Sequence, residues 1–145
     1  MKLFLDTNVV IDYLAAREPF CHDIRRIVLA SKGYGLQLSV SPITFTTMEY
    51  VLKKHVAHDL LMRQFALLRQ FMDVLPTTAE SIDKSIASTF LDFEDAVQYF
   101  TAVSQAEVII TRNTKDFRPF CKLPVLTPTE FLEQYVNTGQ GGNKD

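Results

Sequence analysis

The chain has 145 residues and a mass of 16.5 kDa; 47% of the residues are hydrophobic, 22% are charged, and the formal net charge is −2. This length and composition fit one globular domain and exclude fibrous repeats and general disorder. No uncharged apolar run approaches the roughly 18 residues of a membrane span, and the acidic balance gives no overall attraction to nucleic acid.

The first half of the chain alternates short apolar runs with amphipathic segments. Leu36, Leu38 and Val40 alternate with polar residues, as in a half-buried strand. Thr7 and Asn8 are good helix N-caps, and Gly33 is a helix stop. We therefore predict a strand at 2–5, helices over 7–14 and 19–31, a strand at 36–40, and helices from Pro42 to about His55 and over 59–72.

The second half continues the same alternation. The β-branched run Val108-Ile109-Ile110 is typical of a central strand. The other predicted elements are strands at 74–76 and 124–127 and helices over 79–88, 94–105 and 128–136. Residues 138–145 are Gly-rich and polar, so we predict a single domain over 1–137 and a disordered tail.

Alternating strands and helices predict an α/β protein, specifically a three-layer α/β/α sandwich around a mostly parallel sheet. Asp6 interrupts the N-terminal apolar stretch before a secretory signal could form. The two cysteines, Cys21 and Cys121, are far apart in sequence, which favours free thiols in a cytoplasmic protein.

Acidic residues occur where ligands of a parallel sheet gather, beyond the carboxyl ends of the strands. Asp6 follows the first strand, Asp116 follows the strand at 108–110, and Asp92, Glu94 and Asp95 begin the preceding helix. Each has a simpler interpretation as a helix cap or a partner of a helix dipole. Together, converging carboxylates repel one another, so one must stay protonated unless a cation neutralises them, and oxygen ligands suit Mg²⁺ or Mn²⁺. Such a site activates water against a phosphoryl group.

The Cys and His spacing does not predict a zinc site. His55 and His58 lie near Lys53 and Lys54, and this segment is interpreted as a solvated or RNA-facing patch.

Three segments resemble the PIN domain, the metal-dependent ribonuclease fold found in the toxin of VapBC-type bacterial toxin–antitoxin pairs. They are residues 3–9 (LFLDTNV), 93–96 (FEDA) and 110–117 (ITRNTKDF), and the resemblance extends from residue 1 to about 136. It implies that Asp6, Asp95 and Asp116 hold Mg²⁺ or Mn²⁺ and that Asn8, Thr111 and Asn113 orient ligands or water. It also implies an RNA substrate, with an antitoxin protein and a second copy of the chain as candidate partners.

Two positions depart from the family pattern. Many members carry Asp where this chain has Asn113, so Asp116 is expected to supply that charge. The family often has a Glu in the second turn of the helix after Pro42, and by spacing that position is closer to Thr47 than to Glu49. The two are about 200° apart on a helix, so both cannot face one site. We nevertheless include Glu49 among the candidate catalytic residues.

Cations near the acids would face the RNA phosphates, and Arg112 and Lys115 are the candidates beside the site. Further basic groups are Arg118, the pair Arg25 and Arg26, and the segment Lys53-Lys54-His55. An apolar stripe at helical spacing is predicted to be mainly core, with the remainder available to a homodimer or an antitoxin helix; its members are Leu61, Phe65, Leu68 and Phe71.

Two other functions remain open at this point. Asp6 after a first strand also fits an aspartate-based phosphotransfer protein, although Asn8 stands where a dehalogenase-like motif has its second Asp. A non-catalytic PIN-like module that binds RNA or protein is the other alternative, since Asn113 and the position of Glu49 both depart from the nuclease pattern.

Overall fold

A computed structural model describes residues 1–33 and 35–137. Five parallel strands form one sheet in the order β3-β2-β1-β4-β5. The strands are β1 Lys2–Leu5, β2 Gln37–Val40, β3 Met72–Val74, β4 Val108–Ile110 and β5 Val125–Leu126. The helices are α1 Thr7–Leu14, α2 Cys21–Gly33, α3 Pro42–Leu52, α4 His58–Leu68, α5 Ala79–Ala87, α6 Phe93–Ala102, α7 Thr114–Phe117 and α8 Pro128–Phe131, followed by a π-helix over Leu132–Asn137.

The central strand β1 is buried on both faces of the sheet. Leu3 and Leu5 belong to a core cluster shared with α1, α2, α3 and α4, whereas Phe4 belongs to a second cluster shared with α6 and α7. The alternation follows from the two-residue period of a strand. All three side chains are fully buried, and each such burial contributes about 1.5–3 kcal/mol. The two clusters on opposite faces confirm the predicted three-layer sandwich and parallel sheet.

The third strand begins two residues earlier than the sequence predicts. Val40 pairs with Val74, and Ser39 pairs with Asp73. Because Asp73 is polar, residues 72–74 do not form an apolar run in the sequence. The backbone N–H of Leu75 still donates to the carbonyl of Val40 (2.8 Å), but the strand cannot continue through Pro76, which has no N–H. The preceding helix correspondingly ends at Leu68 and not at residue 72.

Other boundaries differ for local reasons. The first helix is capped by Asp6, whose carboxylate accepts from the backbone N–H of Thr7 (2.9 Å), and not by Thr7 or Asn8. The four-residue helix α7 was not predicted, because one turn carries no periodic signal. The predicted C-terminal helix is an α-helical turn that continues as a π-helix.

The apolar stripe that runs along α4 and the turn after it is core, as predicted. Leu61 and Leu68 are fully buried, and Phe65 and Phe71 pack partly buried against the same cluster. Cys21 and Cys121 are free thiols, as expected. Within 1–33 and 35–137, no helix is long and apolar enough to cross a membrane. The predicted tail at 138–145 lies outside the described residues, and the cytoplasmic location stays a prediction.

Candidate active site

The site lies where the strand order reverses. From β1 the chain moves outward to β2 and β3 and then returns to β4 on the other side of β1. Beside such a reversal, the loops that follow the two adjacent strands diverge and leave a crevice at their carboxyl ends. Leu5 pairs with Ile110, so the next residues, Asp6 and Thr111, stand side by side at this crevice.

Asp6 is a buried carboxylate with three hydrogen-bond donors. The hydroxyl of Thr111 donates to its Oδ2 (2.8 Å), and the backbone N–H of Thr7 (2.9 Å) and the amide of Gln98 (3.5 Å) donate to its Oδ1. Burial raises the pKa of Asp6, while these hydrogen bonds and the charge of Arg112 lower it. The three donors fix the orientation of the carboxylate, as the partners of a metal ligand do.

Gln98 joins three segments beneath Asp6. Its amide nitrogen donates to the hydroxyl oxygens of Thr7 (3.0 Å) and Thr44 (3.4 Å), and its carbonyl accepts from the hydroxyl of Ser41. The Thr7 and Thr44 hydroxyls are also hydrogen-bonded to each other (2.9 Å). Gln98 is 1% exposed, so its amide replaces water for every polar group in this network.

The first turn of α6 brings three more carboxylates to the crevice. Asp92 caps the helix by accepting from the backbone N–H of Asp95 (3.0 Å). Glu94 accepts from the hydroxyl of Thr47 on α3 (3.3 Å). Asp95 lies one turn before Gln98, on the side of the helix that faces Asp6.

Asp95 is the electrostatic centre of the cluster. Burial, together with the charges of Asp6, Asp92, Asp116 and Glu94, raises its pKa to about 7. The pKa of Glu94 is also raised, by burial and by the charges of Asp6 and Asp92, against the hydrogen bond from Thr47. Mutual repulsion among several carboxylates is relieved either by protonation or by a cation.

Asp116 and Lys115 border the open side of the cluster. Both are exposed and both belong to α7. They line a cleft with Asp95 whose volume is about 270 Å³. The remaining walls of the cleft are formed by Leu91, Asp92, Pro119 and Phe120. Lys115 makes no ion pair with any described residue, so its ammonium group is available to an anion entering this cleft.

Arg112 is held by a buried carboxylate. Its guanidinium donates to both oxygens of Asp12 (2.7 and 3.3 Å) and lies 3.9 Å from the centre of the Phe20 ring. Asp12 is 1% exposed and also accepts from Arg17 (2.8 Å). Arg118 likewise pairs with Glu130 (2.9 Å). Both arginines are therefore engaged by the protein, unlike Lys115.

The structure does not bring every predicted residue to the cluster. Glu49 makes no hydrogen bond or ion pair with the acids among the described residues, and Thr47 from the same helix takes the place beside Glu94. Asn8 is half-buried, and its backbone carbonyl accepts from Arg17 (3.4 Å). The backbone N–H of Asn113 donates to the hydroxyl of Thr111 (3.0 Å). Asn113 therefore helps to position the threonine that holds Asp6.

Sequence reasoning missed the polar network under the acids. It did not identify Gln98, Ser41 or Thr44, and it treated Glu94 only as a dipole partner. One signal was present: Gln98 follows Asp95 by three residues and sits between Val97 and Tyr99 on a buried helix. A polar residue on such a helix needs a partner.

The donor set fits a divalent oxygen-seeking cation. Asp6, Asp95 and Asp116 supply only carboxylate oxygens, which are preferred by Mg²⁺ and Mn²⁺. Among the described residues, no three of these acids have oxygens that all lie within 4.8 Å of one another. This spacing leaves room for the several waters that Mg²⁺ commonly retains.

Comparison with known proteins agrees with the PIN-domain resemblance of the sequence. The PIN domain family model matches residues 2–115. Ribonuclease VapC1 of Aquifex aeolicus (strain VF5) is 28% identical over 142 residues, which cover 92% of this chain and 95% of that protein.

Solved structures of toxin–antitoxin systems share the fold. A toxin–antitoxin complex from Klebsiella pneumoniae contains a chain that is 25% identical, with a TM-score of 0.64 and coverage of 87% of this chain and 97% of that one. The DNA-bound VapBC of Salmonella typhimurium contains a chain that is 18% identical, with a TM-score of 0.70 and coverage of 88% and 98%.

Proposed function

Because this chain belongs to the PIN domain family, we propose that it is a toxin-type ribonuclease that hydrolyses RNA phosphodiester bonds with the help of Mg²⁺ or Mn²⁺. The observation that carries the proposal is the cluster of carboxylates around Asp95 at the point where the strand order reverses. The name of the relative from Aquifex aeolicus supports ribonuclease activity over other phosphodiester chemistry.

Asp6, Asp95 and Asp116 would hold the cation in this proposal, with Glu94 beside them. When bound, a divalent ion at such oxygens lowers the pKa of water and stabilises negative charge on a phosphoryl oxygen. Thr111 and Gln98 keep Asp6 oriented through their hydrogen bonds. The Asp6 carboxylate therefore needs no rearrangement when substrate arrives.

Lys115 would contact the RNA backbone. It lines the cleft that contains Asp95 and Asp116, and a lysine in such a position attracts a phosphate that the acids alone would repel. Arg112 acts from the other side without leaving Asp12, because its charge lowers the pKa of Asp6 and so favours the ionised carboxylate. Each cation thus has a separate task.

An antitoxin is the partner we propose for this surface, since the similar Klebsiella pneumoniae chain occurs in a toxin–antitoxin complex. The acidic crevice would accept a basic side chain from the antitoxin near Asp6 and Asp95. A homodimer stays a prediction, and the exposed apolar side chains of α4, Leu60, Met62 and Leu67, are available for it.

The test is cleavage of total RNA by the purified full-length chain, with Mn²⁺ or Mg²⁺ compared with EDTA. We expect metal-dependent cleavage that is abolished by Asp6→Asn and by Asp95→Asn. Asp83→Asn is the matched control, because this exposed acid belongs to α5. RNA binding without cleavage in the folded wild type would instead support the non-catalytic binding module. Transfer of phosphate to Asp6 from a phosphoryl donor would support the phosphotransfer alternative.

A further inference from the structure

A second group of potential metal ligands lies in the connection between α1 and α2. One ligand atom each from Glu18, Cys21 and His22 lies within 4.8 Å of the other two. The Nε2 of His22 is 2.5 Å from the Oε2 of Glu18. None of the three is among the acids of the PIN site, and the Cys and His spacing alone did not indicate them.

The start of α2 explains why the three side chains meet. The backbone N–H of Cys21 donates to the carbonyl of Arg17 (2.8 Å), which closes a turn over residues 18–20 directly before the helix. Cys21 and His22 begin the helix, and this turn brings the side chain of Glu18 back beside them. Glu18 was missed because it lies before the first residue of α2.

The three groups differ chemically from the oxygen-only acids of the active site. A thiolate, an imidazole and a carboxylate are all ligands of Zn²⁺, and a thiolate disfavours Mg²⁺ and Mn²⁺. Cys21 is fully buried and makes no side-chain hydrogen bond among the described residues. Glu18 and His22 are exposed, which leaves a path for an ion and water.

The nearby cation does not occupy this group. The Nε of Arg17 lies 2.8 Å from the carboxylate of Asp12, so the arginine is directed away from Glu18. Between the ligands, Pro19 and Phe20 line a separate cavity with Arg112. The Phe20 ring contacts the Arg112 guanidinium at 3.9 Å. An ion on Glu18 and Cys21 would therefore fix both ends of the segment that carries Phe20.

We propose that Glu18, Cys21 and His22 bind one Zn²⁺ ion, with water as the fourth ligand, and that this ion braces the α1–α2 connection. In tetrahedral zinc the ligating N and O atoms are about 3.3 Å apart, so Glu18 and His22 move apart slightly on binding. Both are exposed and can do so freely. The thiol proton of Cys21 is released to solvent on binding, so affinity rises with pH.

The test uses the untagged full-length chain, reduced and stripped of metal, titrated with Co²⁺ as a spectroscopic substitute for Zn²⁺. We expect a thiolate-to-cobalt charge-transfer band that saturates at one equivalent and that Zn²⁺ displaces. Excess Mg²⁺ should leave the band unchanged. Absence of the band from the folded protein overturns the proposal. Saturation at one Co²⁺ ion for two chains also overturns it, because a second chain would then supply a thiol ligand.

Matched variants identify the ligands. Cys21→Ser should abolish the band, and His22→Gln should lower the affinity for Co²⁺ while the protein stays folded, since His22 is exposed. The controls are Cys121→Ser and His58→Gln, which alter the other cysteine and another exposed histidine. Burial and the charge of Asp95 raise the pKa of Cys121 to about 12, so its thiol is not expected to contribute. A band that is lost in Cys121→Ser, or unchanged in His22→Gln, rejects the assignment.

Discussion

The hydroxyl of Thr111 donates to the Oδ2 of Asp6 over 2.8 Å, and this contact links the ends of two neighbouring parallel strands. Without it, the buried Oδ2 of Asp6 would lose the one hydrogen bond that it accepts from the described residues. The positions of both residues follow from the pairing of Leu5 with Ile110. The geometry of the proposed metal ligand therefore depends on strand register.

We expect Thr111→Val to weaken Mg²⁺ or Mn²⁺ binding by about 10–100-fold, as for other partners of metal ligands. Valine keeps the shape of the side chain and removes only the donor to Asp6. Calorimetric metal titration and RNA cleavage measure the effect. Thr46→Val is the control, since this exposed hydroxyl donates to the carbonyl of Ile43. Equal metal affinity in the two variants would contradict the role of Thr111.

Gln98→Met should destabilise the fold by about 1–3 kcal/mol, because it leaves buried hydroxyl groups without their partner. Ser41 loses its acceptor, and Thr7 and Thr44 lose a donor. Urea unfolding measures the free energy of unfolding. Gln105→Met, at an exposed position after α6, should change it much less. A Gln98 variant as stable as the wild type would mean that water can enter and replace the amide.

The pH dependence of stability tests the electrostatics of Asp95. Its pKa is about 7 in the folded protein and near the ordinary 3.8 when unfolded. Between these values the folded state binds the additional proton, so this group makes the free energy of unfolding fall as pH rises from about 4 to 7. Below about pH 4 this destabilisation is absent, and above about pH 7 it has reached its full size.

In EDTA, Asp95→Asn should therefore reduce the fall of the free energy of unfolding with pH. Compared with the wild type, the variant should gain stability at pH 8 relative to pH 4. Asp6 and Glu94 contribute in the same direction, because their pKa values are also raised. Urea midpoints at several pH values measure the slope, with Asp83→Asn as the control. The same slope in wild type and in Asp95→Asn would show that the carboxyl group is solvated.

Substitutions of Glu94 and Glu49 are expected to affect metal affinity differently. Glu94 contacts Thr47 and feels the charge of Asp6, whereas Glu49 has no such contact among the described residues. We expect Glu94→Gln to lower metal affinity and Glu49→Gln to leave it nearly unchanged. Calorimetric titration of both variants shows which substitution lowers the metal affinity more. The reverse order would restore Glu49 as the ligand expected from the sequence.

The sequence was most informative where chemistry and topology coincide. Asp6 follows an apolar strand and Asp95 begins a helix, so their meeting could be predicted from a parallel sheet alone. Gln98 could not be placed in the same way, since its role depends on three hydroxyl groups from two other segments, Thr7 at the start of α1 and Ser41 and Thr44 at the start of α3. Thr47 faced the site because of the helix start at Pro42, as its spacing indicated. The edge strand β3 was misplaced because its middle residue, Asp73, is polar.

The position of β1 in the middle of the sheet has a consequence for synthesis of the protein. β1 is synthesised before the other four strands of the sheet, but its neighbour β4 follows about a hundred residues later, and Asp6 meets Thr111 across 105 positions. A nascent chain that stops before Thr111 has an unpaired edge on β1 and an Asp6 without its hydroxyl partner. Translation products that end before this point therefore lack the complete site, and the proposed nuclease gains activity only after synthesis has passed Thr111 and Asp116.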